Sequence, residues 1–218
     1  MRNFDPNNYP PLIGRWIMCK GSELPPLQWT QRANRLEAQQ LCKLKPAQLL
    51  EDGKLTDVKA ASCILAGMML WNGLVNVAEA LCRQLEGPEA RYWQAMAVRH
   101  QARPAEAKQL SQQVKQHPIH APLATESLEI IGLGTESTLG RFGQILKQQG
   151  DWEPHAFVDL YESARLKETP AATEKVVREL QRLEFFLLLD HCITPANGKP
   201  DAAPEPQNPS RAAPTATS

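Results

Sequence analysis

The chain has 218 residues, 42% hydrophobic and 22% charged, the composition of an ordinary globular domain. Lys plus Arg and Asp plus Glu balance at 24 each, which argues against a protein built to grip nucleic acid or an anionic membrane. The longest apolar run, 64–71, is far too short to cross a bilayer, and no leader-like apolar segment follows Arg2.

In chain order, the first 28 residues hold five prolines and are expected to be irregular, with Trp16, Ile17 and Met18 able to pin them to a core. Thr30 is a candidate cap for a helix over 31–44, with Leu36, Leu41 and Leu44 as its apolar members. Pro46 starts a short turn. Thr56 is a candidate cap for a helix over 57–70, whose Val58, Ala61, Ile64, Leu65, Met68 and Met69 cover most of its circumference. That helix is expected to be the most buried. Asn72-Gly73 ends it. The next helix carries Leu74, Val77, Ala78, Leu81 and Leu85 as an inward stripe and stops at Gly87-Pro88.

Pro88 opens a helix to about Arg99, with Trp93, Met96, Ala97 and His100 on one face. Pro104 opens its partner, which points Ala107, Leu110 and Val114 inward. Helices over 123–131, 137–149 and 154–167 follow, the first two separated by a Gly132/Gly134 turn. A last long helix begins after Thr169-Pro170 with Val176, Leu180, Leu183 and Leu187 inward. From 195 to 218 there are six prolines and no large apolar residue, so the tail from 194 onward is expected to be disordered. No alternation long enough for a strand occurs.

These patterns predict an all-α protein. The expected organisation is an irregular segment 1–28, one helical domain 29–193 of about eight helices, and the tail. Within 58–118 a weak repeat recurs: Ala66, Met68, Met69, Ala78, Leu81 and Leu85 return 29 positions later as Ala95, Ala97, Val98, Ala107, Leu110 and Val114. In each unit a small residue is followed twelve positions later by Ala, and proline closes the unit. Small residues at a crossing let helices approach closely. This pattern resembles the tetratricopeptide (TPR) family, with a period of 29 instead of the family's roughly 34 and without its Trp-Leu-Gly run. The resemblance implies a short stack of antiparallel helix hairpins, closed here by the long C-terminal helix. The stretches 87–118 and 152–162 also resemble an uncharacterised all-helical bacterial family, which implies no activity.

Few residues carry a chemical signal. His117-Pro-Ile-His120 has a two-imidazole spacing, but Pro118 breaks helical geometry and no cysteine or carboxylate stands beside it in sequence, so no metal site is expected. His100 falls on an apolar face, where it is either a satisfied core residue or a tuned acid–base group. His191 and Cys192 are adjacent on a helix and so diverge by about 100°. Gly132-Leu-Gly134 lacks both the strand and the Gly-Lys-Ser/Thr of a phosphate loop. The five cysteines are expected to be reduced, buried small hydrophobes in a cytoplasmic protein.

Two functions compete. The first is a non-catalytic helical-repeat protein that binds a protein or peptide partner, with Trp71, Tyr92, Trp93, Arg99, His100 and Arg103 as candidate contacts. The second is a small enzyme or ligand carrier with a pocket between helices near His100, working with Tyr92 or Arg99. No cofactor, nucleic acid or membrane is expected in either.

Overall fold

A computed structural model describes residues 5–19, 23–29, 35–50, 56–132 and 138–196. Among the described residues every regular element is helical and no strand occurs. None of their helices is long and apolar enough to cross a membrane.

The first helices are α1, Pro11–Met18, and α2, Arg35–Lys43, followed by α3, Val58–Trp71, and α4, Val75–Arg83. They continue with α5, Pro88–His100, and α6, Pro104–Ser111, which a 3-10 turn extends to Val114. Three-to-four-residue loops join α3 to α4, α4 to α5 and α5 to α6, so successive helices lie against each other, and α3 also touches α5. Every residue of α3 from 60 to 71 is buried, as expected for a helix apolar all round. Ala66, Ala78, Ala95 and Ala107 are all buried, and the last two share a small cluster with Val98, Leu110 and Val158. Helices α3 and α5 approach closely at Gly67, where a Cβ would stand 2.8 Å from Cζ2 of Trp93.

The second half holds α7, His120–Ile131, α8, Thr138–Gln149, α9, Pro154–Arg165, and α10, Ala171–Ala196. At about 1.5 Å per residue, the 26 residues of α10 span roughly 39 Å. This helix packs on α3, α7 and α9. Its Phe185 ring lies 4.6 Å from that of Trp71 and 5.1 Å from that of Trp93, which ties the C-terminal helix to the centre of the α3–α5 layer.

Several expectations change. The N-terminal segment contains a helix: Pro11 starts α1, which buries Ile13, Trp16 and Ile17 and leaves Met18 exposed. Its last carbonyls are met from α3, where Trp71 Nε1 donates to Ile17 O at 3.2 Å and Asn72 Nδ2 approaches Trp16 O at 3.5 Å. The cap of α3 is Asp57, whose carboxylate accepts from the N–H groups of Lys59 and Ala60 at 2.8 and 3.0 Å. Thr56 instead donates its hydroxyl to Pro195 O at 2.8 Å and fastens the end of α10. On α4 the buried face is rotated: Val75, Ala78, Glu79 and Cys82 are buried and Val77 is exposed, because Glu79 turns inward to Arg103. Leu36 is exposed and Leu41 is buried. Of the five cysteines, Cys19 and Cys42 are exposed and Cys63, Cys82 and Cys192 are buried, all as free thiols. Helix α7 begins at His120 and accepts Pro122 in its first turn, where proline's missing N–H costs nothing. On α10, Val177 is fully buried while Val176 is only partly so, and the helix runs to Ala196, beyond the expected limit at 193. The Thr30 cap, Gly134 and the tail from 197 lie outside the described residues.

Candidate functional site

Five of the six candidate contacts lie inside the protein. Trp71, Tyr92, Trp93, Arg99 and His100 are each at most 6% exposed, so none can face a partner from this fold. Arg103 is the exception, half-buried at the α5–α6 connection. It is held by Glu79 at 2.9 Å and Glu106 at 2.6 Å, and Glu79 also takes Gln101 Nε2 at 2.7 Å. The exposed-aromatic reading is therefore corrected: helical spacing put these rings in the core.

Arg99 and Tyr92 meet a residue the sequence reading passed over, Glu184 of α10. Arg99 Nη2 donates to Glu184 Oε2 at 2.5 Å, and Tyr92 Oη donates to Oε1 at 3.1 Å. The guanidinium also lies over the rings of Phe157 and Tyr161, at 4.8 and 5.0 Å. Burial works against the charge of Arg99, but Glu184 outweighs it and holds its pKa above the usual value. Burial, reinforced by Glu184, pushes the Tyr92 phenol well above its ordinary value. This network joins α5, α9 and α10. Its charge is consumed internally.

His100 lies beside it. Its ring meets that of Tyr161 edge to face at 6.1 Å and lies tilted 6.4 Å from that of Trp29, and its Nδ1 is 3.3 Å from Tyr161 Oη. Burial first, then the Arg99 charge, pushes its pKa down to about 3. The space left at the ring is about 10 Å³, room for about one water. A sealed, neutral imidazole in such a space has no place for a substrate.

Residues 23–29, Glu-Leu-Pro-Pro-Leu-Gln-Trp, form a strap across this region. Pro25 and Pro26 fix their own φ and disfavour helix in the residue before each, so the chain runs non-helical over 24–26 and then bends at Leu27 and Gln28. Pro25 and Leu27 are buried. Four consecutive strap carbonyls accept from side chains of α9 and α10. Arg178 donates to Leu24 O and, at 2.9 Å, to Pro25 O. Gln181 donates to Pro26 O at 3.4 Å, and Tyr161 to Leu27 O. Beside the strap opens a groove of about 230 Å³ lined by Arg165, Lys167, Glu174 and Arg178.

The two histidines of His117-Pro-Ile-His120 behave differently from each other. His117 meets Glu89 from the first turn of α5 and His191 from α10, and donor atoms of these three residues all lie within 4.8 Å of one another. His191 Nε2 stands 3.5 Å from Glu89 Oε1, and the His117 and His191 rings meet edge to face at 4.9 Å. The hydrogen bond from His191 holds Glu89 below the usual carboxylate range, and burial pushes His117 down to about 3. His120 turns away, its Nδ1 3.2 Å from Lys115 O. Cys192 points into the core, and burial raises its thiol well above the ordinary value, so it makes no thiolate pair with His191.

No family model, curated protein or solved structure matches this chain.

Of the missed residues, Glu184 left the clearest trace in the sequence. Glu184 interrupts an otherwise apolar run, Leu183 to Leu189, and a lone carboxylate there signals a buried partner. The strap's Leu-Pro-Pro-Leu was legible as extended chain, but nothing local says what it lies on. Glu89 and His191 are 102 positions apart, a distance no local pattern spans.

Proposed function

We propose that this is a non-catalytic, TPR-like helical-repeat protein that binds another protein by holding an extended, proline-containing segment of it. The observation that supports this reading is the strap. Its side-chain donors on α9 and α10 read backbone carbonyls, and its buried Pro25 and Leu27 fill apolar sites. That is the division of labour by which grooves recognise stiff proline-containing peptides, at low ordering cost. The sequential packing of α3 through α6 favours the same class, since stacked helix pairs build concave surfaces. The alternative of a pocket enzyme at His100 loses its support from the sealed ring.

The test keeps the full chain. A labelled peptide with the sequence of residues 23–29 is titrated, by fluorescence anisotropy, into wild type, Leu27→Ser and Leu27→Ser/Arg178→Ala. Loosening the strap at Leu27 is expected to give saturable binding that wild type lacks, and loss of Arg178 to abolish it. A folded Leu27→Ser variant that binds no peptide at millimolar concentration would refute the proposal.

A further inference from the structure

We infer that Glu89, His117 and His191 form a binding site for one divalent transition-metal ion of the zinc type. The three donors come from three separate elements: the first turn of α5, the connection between the 3-10 turn and α7, and α10. Their atoms already converge within 4.8 Å. A tetrahedral ion with bonds of about 2.0–2.1 Å needs its ligand atoms roughly 3.3 Å apart. The His191–Glu89 edge, at 3.5 Å, is nearly there. The other two edges close by side-chain rotation of under about 1.5 Å, within ordinary rotamer adjustment.

The Nε2 nitrogen of His117 is not committed elsewhere. The ring is 96% buried by its 4% exposure, yet Nε2 has no hydrogen-bond partner and Nδ1 takes only a long 3.4 Å contact from Ile119 N–H. A buried imidazole nitrogen left without a partner is costly, and a metal bond would satisfy it. Tyr92, packed edge to face on the ring at 5.1 Å, fixes its plane. Glu89 and His191 are 29% and 14% exposed, which gives an ion a route in from solvent.

The donor set selects the ion. Two imidazoles and one carboxylate suit zinc, cobalt or nickel, whereas calcium and magnesium want oxygen throughout. Three protein ligands leave a fourth position for water. Bound there, the ion would staple the α7 entry to α10 and the start of α5, and would reinforce the polar contacts that already join those two helices.

The test uses full-length protein carrying Cys19→Ser and Cys42→Ser, because those two thiols are exposed and bind zinc themselves. Equilibrium dialysis is expected to show one zinc per chain, and the melting temperature to rise with zinc and fall back with chelator. Glu89→Gln and His191→Gln, both partly exposed positions that keep the fold, are each expected to weaken binding at least about 10-fold, the scale of losing even an outer-shell partner. Cobalt(II) in the same protein is expected to give visible ligand-field bands with no sulfur-to-metal charge transfer. The inference is overturned by three results: no stoichiometric zinc, unchanged affinity in both variants, or a sulfur charge-transfer band.

Discussion

Glu184 and Arg99 offer the sharpest test of how the core is assembled. Their side chains are 3% and 5% exposed, so each ion has lost nearly all its water and depends on the other. Removing one partner leaves a buried, uncompensated charge, which typically costs about 3–5 kcal/mol. Glu184→Ala also strips Tyr92 of its hydrogen-bond acceptor, and Arg99→Ala strips Phe157 and Tyr161 of the cation over their rings. Each single variant is therefore expected at or above about 4 kcal/mol. For a domain of this size each kcal/mol moves the melting temperature by about 2–4 °C, so losses of roughly 8–16 °C are expected.

The double variant Arg99→Met/Glu184→Leu separates charge from packing. With both ions gone and the volume kept, only the Tyr92 hydroxyl is orphaned, at about 1–2 kcal/mol. The expected coupling between the sites is then several kcal/mol, far above the few tenths seen for independent positions. Urea unfolding followed by circular dichroism at 222 nm measures wild type, the double variant and its own two singles, Arg99→Met and Glu184→Leu, which close the cycle and are expected to be as costly as the alanine variants. Single variants costing under about 1 kcal/mol, or a double variant equal to their sum, would refute the reasoning.

Three further outcomes follow from the same coordinates. Gly67→Ala forces a Cβ to within 2.8 Å of the Trp93 ring and is expected to cost about 1–3 kcal/mol of overpacking, read in the same urea assay. A thiol reagent should titrate two groups in the native protein, Cys19 and Cys42, while Cys63 and Cys82, pushed up to about 12 by burial, react only after unfolding. His100, held near 3 against an unfolded value near 6.5, binds its proton in the unfolded state first, so its contribution is intact above pH 6.5 and is lost as pH falls towards 3. Between pH 6.5 and 5 that loss is about 2 kcal/mol, and it should vanish from the pH–stability curve of His100→Gln.

Helices were legible where the chain announces them locally. Gly87-Pro88 and Pro104 mark the starts of α5 and α6 because a fixed φ and a missing donor fit the first helical position. Phe157, Leu160, Tyr161 and Ala164 recur at the helical period and are all buried. What failed was inference about which polar residue stands inside. Val77 gave way to Glu79 on α4 because Arg103 and Gln101 reach that carboxylate from the α5–α6 connection, joined by Arg83 one turn further along α4. Proline content made 1–28 look irregular. Yet Pro11 sits where a helix tolerates it, and the carbonyls at the far end of α1 are met by Trp71 and Asn72, more than fifty residues away. The site residues were hidden for the same reason: His117 looked ligand-poor until the fold delivered Glu89 and His191.

The polar residues of α10 explain why a helix buried all round from Leu183 to Leu189 still sits in one register. Arg178 and Gln181 face the strap, Glu184 faces Arg99 and Tyr92, and His191 faces Glu89 and His117. At 100° per residue, Glu184 and His191 point within about 20° of each other, so α5 meets both along one seam. Apolar contacts alone, among Leu180, Leu183, Leu187 and Leu188, would tolerate sliding or rotation of the helix at small cost, because one leucine packs much like another. Sliding by one residue would turn every polar side chain by 100° and strand Arg99 as a buried lone charge. The network is thus an ion pair whose main effect is positional: it fixes where the strap donors and the His191 ring stand, and with them both the peptide groove and the metal site proposed above.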